Sequence, residues 1–227
     1  MTESPGTRGD WAPTTWPADE AAARELRDWL ARSDDTELYA LDLDFSGADL
    51  SGGDFTGAWV SRSRMHDTTL RNTSFARAHC EAADFSQADL TGADFVKALG
   101  RESHFWKARL RGANLTSAEF NRADFTEADL AGANLSGVLL TRSTFAHANL
   151  TGVTAEKTVL RNTILDSADV NGFTGTVIGP ISVIFRGQRS LLDGADLEQW
   201  FTARGGRVTR FYADRAERAG KTEGDAT

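Results

Sequence analysis

The residues able to do chemistry in this 227-residue chain are four histidines (His66, His79, His104 and His147), one cysteine (Cys80) and 33 acidic side chains. A catalytic or metal-binding set needs imidazole, thiolate or carboxylate groups at spacings that bring them to one point. The histidines share no such spacing with Cys80 or the acids, and the chain holds no glycine-rich phosphate loop or nucleophile elbow. A lone cysteine also excludes an internal disulfide. The expectation is a non-enzymatic protein with no catalytic residue, no metal and no cofactor. What remains is charge: the net charge is −8, and Asp44, Asp49, Asp84, Asp89, Asp124 and Asp129 recur as pairs five apart, the pairs themselves forty apart. These six aspartates are the candidate partner-binding residues.

The element that must carry them is set by a five-residue period. Positions divisible by five from Phe45 to Val170 are almost all apolar, among them Leu50, Phe55, Leu70, Phe85, Phe105, Phe125 and Leu150. Two residues before each sits something small, as at Ala48, Ala88, Ala113 and Ala133. Neither a helix at about 3.6 residues per turn nor a strand at about 2.0 keeps such a pattern on one face. The chain must turn a corner once per unit and coil about its own core, which is a solenoid. Cys80 falls at an inward position, where apolar burial makes it an inert core thiol.

Blocks such as Ala48-Asp49-Leu50-Ser51-Gly52, Ala88-Asp89-Leu90-Thr91-Gly92 and Ala133-Asn134-Leu135-Ser136-Gly137 resemble the motif of pentapeptide-repeat proteins over residues 41–175. That resemblance implies an all-β solenoid, a right-handed quadrilateral β-helix with four pentapeptides per coil, here about seven coils with short α-helical terminal elements. Residues twenty apart should then stack. Leu50, Leu70, Leu90, Leu110, Leu130 and Leu150 form a leucine column, and Phe85, Phe105, Phe125 and Phe145 continue a phenylalanine column begun by Phe45 and Met65. The corner after the leucine column carries Gly52, Gly92, Gly112, Gly132, Gly152 and Gly172, residues that tolerate positive φ. With coils spaced like strands at ~4.8 Å, the rod is on the order of 30 Å tall.

Charge and hydropathy differ between the faces of this coil. Successive twenty-residue segments from residue 41 carry −4, +3, −3, +2, −2, +1 and −1, so acidic and basic coils alternate, as favours a stable ladder. One outward column breaks the polar rule with Trp59, His79, Leu99, Glu119, Leu139 and Val159. An exposed apolar stripe implies something that covers it. Gly100 and Cys80, small for core positions, lie on this same face, where flattening or distortion is expected.

Both ends of a solenoid need covering. Residues 17–40 supply a capping helix and lead-in, with Ala22, Ala23, Leu26, Trp29 and Leu30 at helical spacing and Glu20–Arg24 and Asp28–Arg32 four apart. Residues 1–16 are read as a flexible N-terminus, and 213–227 as a disordered tail. Within 176–212, Gly179-Pro180 breaks the rhythm, 181–185 suits one more strand, and Leu197, Trp200 and Phe201 suit a short helix before Gly205-Gly206. That helix could pair with its twin in a homodimer, as the resemblance to gyrase-binding relatives implies and as is favoured here. It could instead fold back on Leu99, Leu139 and Val159 beside Trp59.

No segment resembles a signal peptide or the ~20 apolar residues of a membrane span, so a cytoplasmic protein with no membrane contact is expected. The resemblance implies a DNA mimic that binds DNA gyrase or topoisomerase IV in place of DNA, without itself binding nucleic acid, and so gives protection from quinolone-type poisons. Between residues 41 and 180, however, 17 acidic residues face 13 basic ones, a sparse match to a duplex. The competing reading is a general protein-interaction rod with no topoisomerase target.

Overall fold

The structure is a computed structural model that describes residues 11–32, 34–185 and 188–210. Its coiling is visible in a series of parallel bridges joining residues twenty apart, which line up as four ladders. The first runs Asp44, Arg64, Asp84, His104, Asp124, Thr144, Ile164; the second runs Asp49, Thr69, Asp89, Arg109, Asp129, Asn149, Asp169. The third runs Asp54, Ser74, Asp94, Asn114, Asn134, Thr154, and the fourth Tyr39, Trp59, His79, Leu99, Glu119, Leu139, Val159. The chain is a β-helical solenoid in which each pentapeptide contributes one rung to one ladder.

One unit shows why the sequence takes this form. In Thr91-Gly92-Ala93-Asp94-Phe95 the first two residues turn the corner, Ala93 and Phe95 point inward, and Asp94 makes the bridge. Ala93 N–H closes the turn on the Leu90 carbonyl at 3.0 Å, Asp94 N–H donates to the coil below at Thr73 O, and Gly92 and Phe95 N–H donate to the coil above at Arg111 O and Asn114 O. The fifth N–H, on Thr91, has no carbonyl to reach and donates to Oδ1 of Asp89 at 3.2 Å. Every backbone donor of the unit is thus satisfied, as burial requires. Where an Asp or Asn precedes the large residue, its side-chain oxygen is the acceptor that completes the set.

The corners are left-handed at all four faces, not only after the leucine column. Gly52 and Gly92 have φ +72° and +71°, and so do non-glycine residues in the same place, such as Arg62 (+61°), Glu102 (+62°) and Arg142 (+64°). Each such residue opposes folding by roughly 1–2 kcal/mol, a cost the core must offset.

That core is a pair of aromatic stacks at right angles. Phe85, Phe105, Phe125 and Phe145 lie face to face with centroids 5.0, 4.7 and 4.7 Å apart, and Phe55, Phe75 and Phe95 stack at 5.5 and 5.1 Å. Edge-to-face contacts such as Phe85–Phe95 at 5.9 Å join the two. The distortion expected at Gly100 is not found. Its ladder bonds are intact, with Gly100 N–H to Glu119 O at 2.8 Å, because a Cβ there would overlap the ring of Phe120. The small residue makes room for the large one above it.

At the N-terminal end, α1 (Glu20–Leu30) starts where Asp19 accepts from Ala22 N–H at 2.9 Å. Trp29 stacks on Phe55 at 5.6 Å and so closes the bottom of the core. The helix surface pairs Glu20 with Arg27 and Glu25 with Arg32, a different set from the four-residue pairs the sequence suggested. Residues 11–16, expected to be flexible, are instead tied to the rod. Trp11 packs edge-on to Phe55 at 5.5 Å and donates to Ser51 O, and Thr15 pairs antiparallel with Asp49, blocking a free rung. Residues 1–10 of that expectation lie outside the described residues.

The C-terminal end departs from the period by shortening. β1 (Thr154–Val159) pairs with β3 (Thr174–Ile178), but the register moves from Thr154↔Thr174 to Val159↔Ile178, and β2 (Thr163–Ile164) meets β4 (Ile181–Phe185) at Thr163↔Ile181. Two residues are lost from the coil, so the repeat goes out of phase after 175. β4 then turns back as a hairpin with β5 (Gln188–Leu192). α2 (Gly194–Thr202) crosses the end of the rod, and β6 (Arg207–Arg210) adds a last parallel rung to β3. The tail expected to be disordered, 213–227, lies outside the described residues. Among the described residues no helix is long and apolar enough to cross a membrane.

Candidate functional site

The six aspartates singled out by the sequence occupy two adjacent ladders, with Asp44, Asp84 and Asp124 on the first and Asp49, Asp89 and Asp129 on the second. All six have a structural duty. Oδ1 of each accepts the N–H two residues on: Ser46, Ser51, Ser86, Thr91, Thr126 and Ala131 at 2.9–3.2 Å. Asn114, Asn134 and Asn149 do the same elsewhere. The backbone therefore asks for an amide or carboxylate oxygen here and is indifferent to charge.

The second oxygen divides the six. Asp44 Oδ2 accepts from Arg64 at 2.8 Å, Asp89 Oδ2 from Arg71 at 2.7 Å with Arg109 at 3.8 Å, and Asp129 Oδ2 from Arg111 at 3.3 Å. Partial burial works against the charge of Asp44 and Asp89, but hydrogen bonds from Ser46 and Arg64, and from Thr91 and Arg71, outweigh it and hold both carboxyls below the usual range. Asp49, Asp84 and Asp124 have no ion-pair partner among the described residues. Asp54 and Asp94 on the third ladder are placed likewise, but Asn134 stands where a third would fall, so the repeat of carboxylates at every second coil is sustained on the first two faces only.

The fourth face is different. Tyr39, Trp59 and His79 stack like coins, with centroids 5.9 and 3.8 Å apart, and Leu99, Leu139 and Val159 continue the column, interrupted by exposed Glu119. Tyr39 is 52% exposed, while Trp59, Leu99, Leu139 and Val159 are half-buried. The helix expected to pair with its twin or to lie on this stripe is used otherwise. Leu197 and Phe201 are fully buried and Trp200 nearly so. Phe201 packs on Phe173 at 5.0 Å and Leu197 presses on Gly179, so the helix closes the top of the core. The reason is the last coil's own exposed interior, which is nearer than any stripe and needs the same apolar face.

Among the described residues no group of histidine, cysteine, aspartate and glutamate side chains is arranged to hold a metal ion. Burial pushes the Cys80 thiol well above its usual pKa, so it stays protonated. One grouping escaped the sequence reading: Arg101, Arg122, Arg142 and Arg161 gather on the corner between the fourth and first faces. Charge summed coil by coil conceals it, because the four come from four different coils.

With this geometry in view, residues 41–67, 63–99, 103–142 and 118–154 match the family description "Pentapeptide repeats", in eight copies. The chain is similar in structure to HetL, a pentapeptide repeat protein involved in heterocyst differentiation regulation from the cyanobacterium Nostoc sp. strain PCC 7120. They share 22% identity with a TM-score of 0.41, over 66% of this chain and 79% of that one. It is also similar to a trypsin-treated form of QnrB1, a plasmid-mediated fluoroquinolone resistance protein, at 15% identity and TM-score 0.32, over 62% and 92% of the two chains. A pentapeptide repeat protein of the Arabidopsis thaliana thylakoid lumen shares 34% identity at TM-score 0.22, over 47% of this chain and 63% of that one. No curated protein matches the chain.

Proposed function

The chain belongs to the pentapeptide-repeat family, and we propose that it is a cytoplasmic, non-enzymatic DNA mimic. On this reading a right-handed, four-sided rod of about seven coils occupies DNA gyrase or a related type II topoisomerase in place of DNA and protects that enzyme from quinolone-type poisons. The observation that carries the reading is the repetition of carboxylates on two adjacent faces at every second coil, on the order of 10 Å apart, with Asp54 and Asp94 beside them on the third. Asp49, Asp84 and Asp124 on these two faces keep charge that no arginine among the described residues neutralises, and so do Asp54 and Asp94 on the third. The resemblance to gyrase-binding members of the family supplies the candidate partner; the charge pattern supplies the argument.

A gyrase supercoiling assay with and without a quinolone tests this, using the triple variant Asp49→Asn/Asp84→Asn/Asp124→Asn. Asparagine keeps the Oδ1 acceptor that the turn needs, as Asn114, Asn134 and Asn149 already do, so the variant removes charge and leaves the fold. Replacing Asp89 or Asp129 would also break arginine pairs and confuse the result. Wild type should inhibit or protect, less so as salt rises, and the triple variant should lose the effect.

A second reading, a general interaction rod without a topoisomerase target, is favoured by the compensated state of Asp44, Asp89 and Asp129 and by the apolar fourth face. A triple variant that acts like wild type, or an effect indifferent to salt, sinks mimicry and leaves this one.

A further inference from the structure

The geometry points to a second, oppositely charged site: the corner cleft of Arg101, Arg122, Arg142 and Arg161 binds a compact anion carrying several phosphate groups. These side chains, with Asn121, Thr141 and Asn162, line an open cleft of about 480 Å³. They come from four successive coils, so the cationic row extends over three coil spacings, on the order of 14 Å. A row of that length accommodates a triphosphate toward which the outer side chains lean, with or without a nucleoside.

The charge balance of the corner leaves a place for an anion. Lower on the same corner Arg62 stacks over Asp42 and pairs with it at 2.6 Å. Higher up Arg122 reaches down to Glu102 at 3.1 Å, and Arg101 shares the same carboxylate at 3.1 Å. Those two guanidiniums, Arg122 first, hold Glu102 below its usual pKa. The alternation then stops. Arg142 follows Arg122 twenty residues on, Arg161 joins the cleft, and among the described residues no carboxylate lies within ion-pair reach of either. Four guanidiniums face one carboxylate, in a chain of net charge −8. Like charges stacked in a ladder repel, and nothing in the pentapeptide geometry requires arginine at these turns, where glycine, serine or asparagine serve elsewhere.

Arginine is the residue suited to phosphate, because its planar fork donates two parallel hydrogen bonds to one phosphate group. The neutral neighbours fit the same ligand. Asn121 Oδ1 is engaged by Thr141 N–H at 2.9 Å, which leaves the Asn121 amide N–H groups and the Thr141 hydroxyl as donors. A nucleic acid duplex fits less well, since Glu119 on the fourth face and Asp84 and Asp124 on the first flank the cleft with negative charge.

The test is calorimetric titration of the full chain with inorganic tripolyphosphate, with ATP, and with a short DNA duplex. Tripolyphosphate should bind saturably at one site, and Arg142→Gln/Arg161→Gln should weaken it by about tenfold or more. Neither arginine is tied to a carboxylate among the described residues, so that variant should melt no lower than wild type. Arg77→Gln/Lys97→Gln removes the same charge from another corner, where two cations are also stacked, and should leave binding unchanged. ATP binding more tightly than tripolyphosphate identifies a nucleotide as the ligand; equal or weaker binding identifies the phosphate chain. No saturable heat at millimolar concentration, equal weakening in both variants, or tighter binding of the duplex at the same arginines overturns the proposal.

Discussion

Gly100 and Phe120 offer a direct measurement of how tightly the coils are coupled. Gly100 is buried, and a methyl group there would overlap Cδ1 and Cε1 of Phe120 in the coil above. The ring has little freedom to retreat, being held edge-on by Phe95, Phe105 and Phe125 at 5.8, 5.4 and 5.8 Å. Gly100→Ala should therefore destabilise by about 1–3 kcal/mol through overpacking, less the few tenths to about 1 kcal/mol that alanine gains by restricting the unfolded chain. Phe120→Leu alone removes the ring contacts and leaves a void, for a loss of about 1–2 kcal/mol. In the double variant the alanine methyl enters the space the ring has left. Urea denaturation of all four proteins should give a favourable coupling of about 1–2 kcal/mol, within the range for residues in contact. A neutral Gly100→Ala, or a double variant whose loss equals the sum of the singles, would refute the small-beside-large account of this face.

Two further outcomes follow from the pairing and from the caps. Asp44 and Asp89 have carboxyl pKa values lowered in the folded rod, so the unfolded chain binds protons first as pH falls, and their stabilisation, present above about pH 4, should be lost progressively below it. Asp44→Asn/Asp89→Asn should flatten the fall of melting temperature between about pH 5 and pH 2; an unchanged slope would show that other groups carry it. Truncation after Gly179 removes β4, β5, α2 and β6 and uncovers Phe173 and Val177. In sedimentation that fragment should aggregate while the full chain does not, and a soluble fragment with unchanged melting would mean that the C-terminal segment, helix included, closes nothing.

The solenoid was legible because its signal is the size of inward residues, and size is what a five-residue corner constrains. Gly100 looked like a weak point for the same reason: a small residue reads as a gap until the ring of Phe120 above it is known. The cap helix was legible from its apolar spacing at Leu26 and Trp29. The C-terminal end was not, beyond one strand and one helix, because a coil two residues short moves each later side chain to a new phase without changing any residue type. β5 and β6 exist only through their partners, β4 and β3, and carry little pattern of their own. The arginine cleft was hidden by geometry of another kind, since residues 101, 122, 142 and 161 are neighbours only when read along a corner.

The aspartates show how structural and functional signals separate within one motif. Where the rung side chain satisfies the fifth N–H it needs an oxygen to do so, and Asp89, Asn114, Ser74 and Thr144 all supply one. An oxygen requirement cannot select a charge, so the choice of aspartate over asparagine at each rung is left to electrostatics. On the second ladder, Asp89 and Asp129 sit beside Arg71, Arg109 and Arg111, and their charge is consumed in holding neighbouring coils together. At Asp49, Asp84 and Asp124 no such neighbour takes it up among the described residues, and asparagine would serve the turn equally. Two carboxylates on one ladder also repel weakly across two coils, a small penalty that the fold alone gives no reason to keep. The negative charge at these three positions, as at Asp54 and Asp94 on the third ladder, is therefore a part of the repeat that folding does not explain. A partner that reads it must meet more than one face of the rod, since Asp49 stands on the second ladder while Asp84 and Asp124 stand on the first. A groove shaped for a cylinder meets that condition, and a flat surface does not.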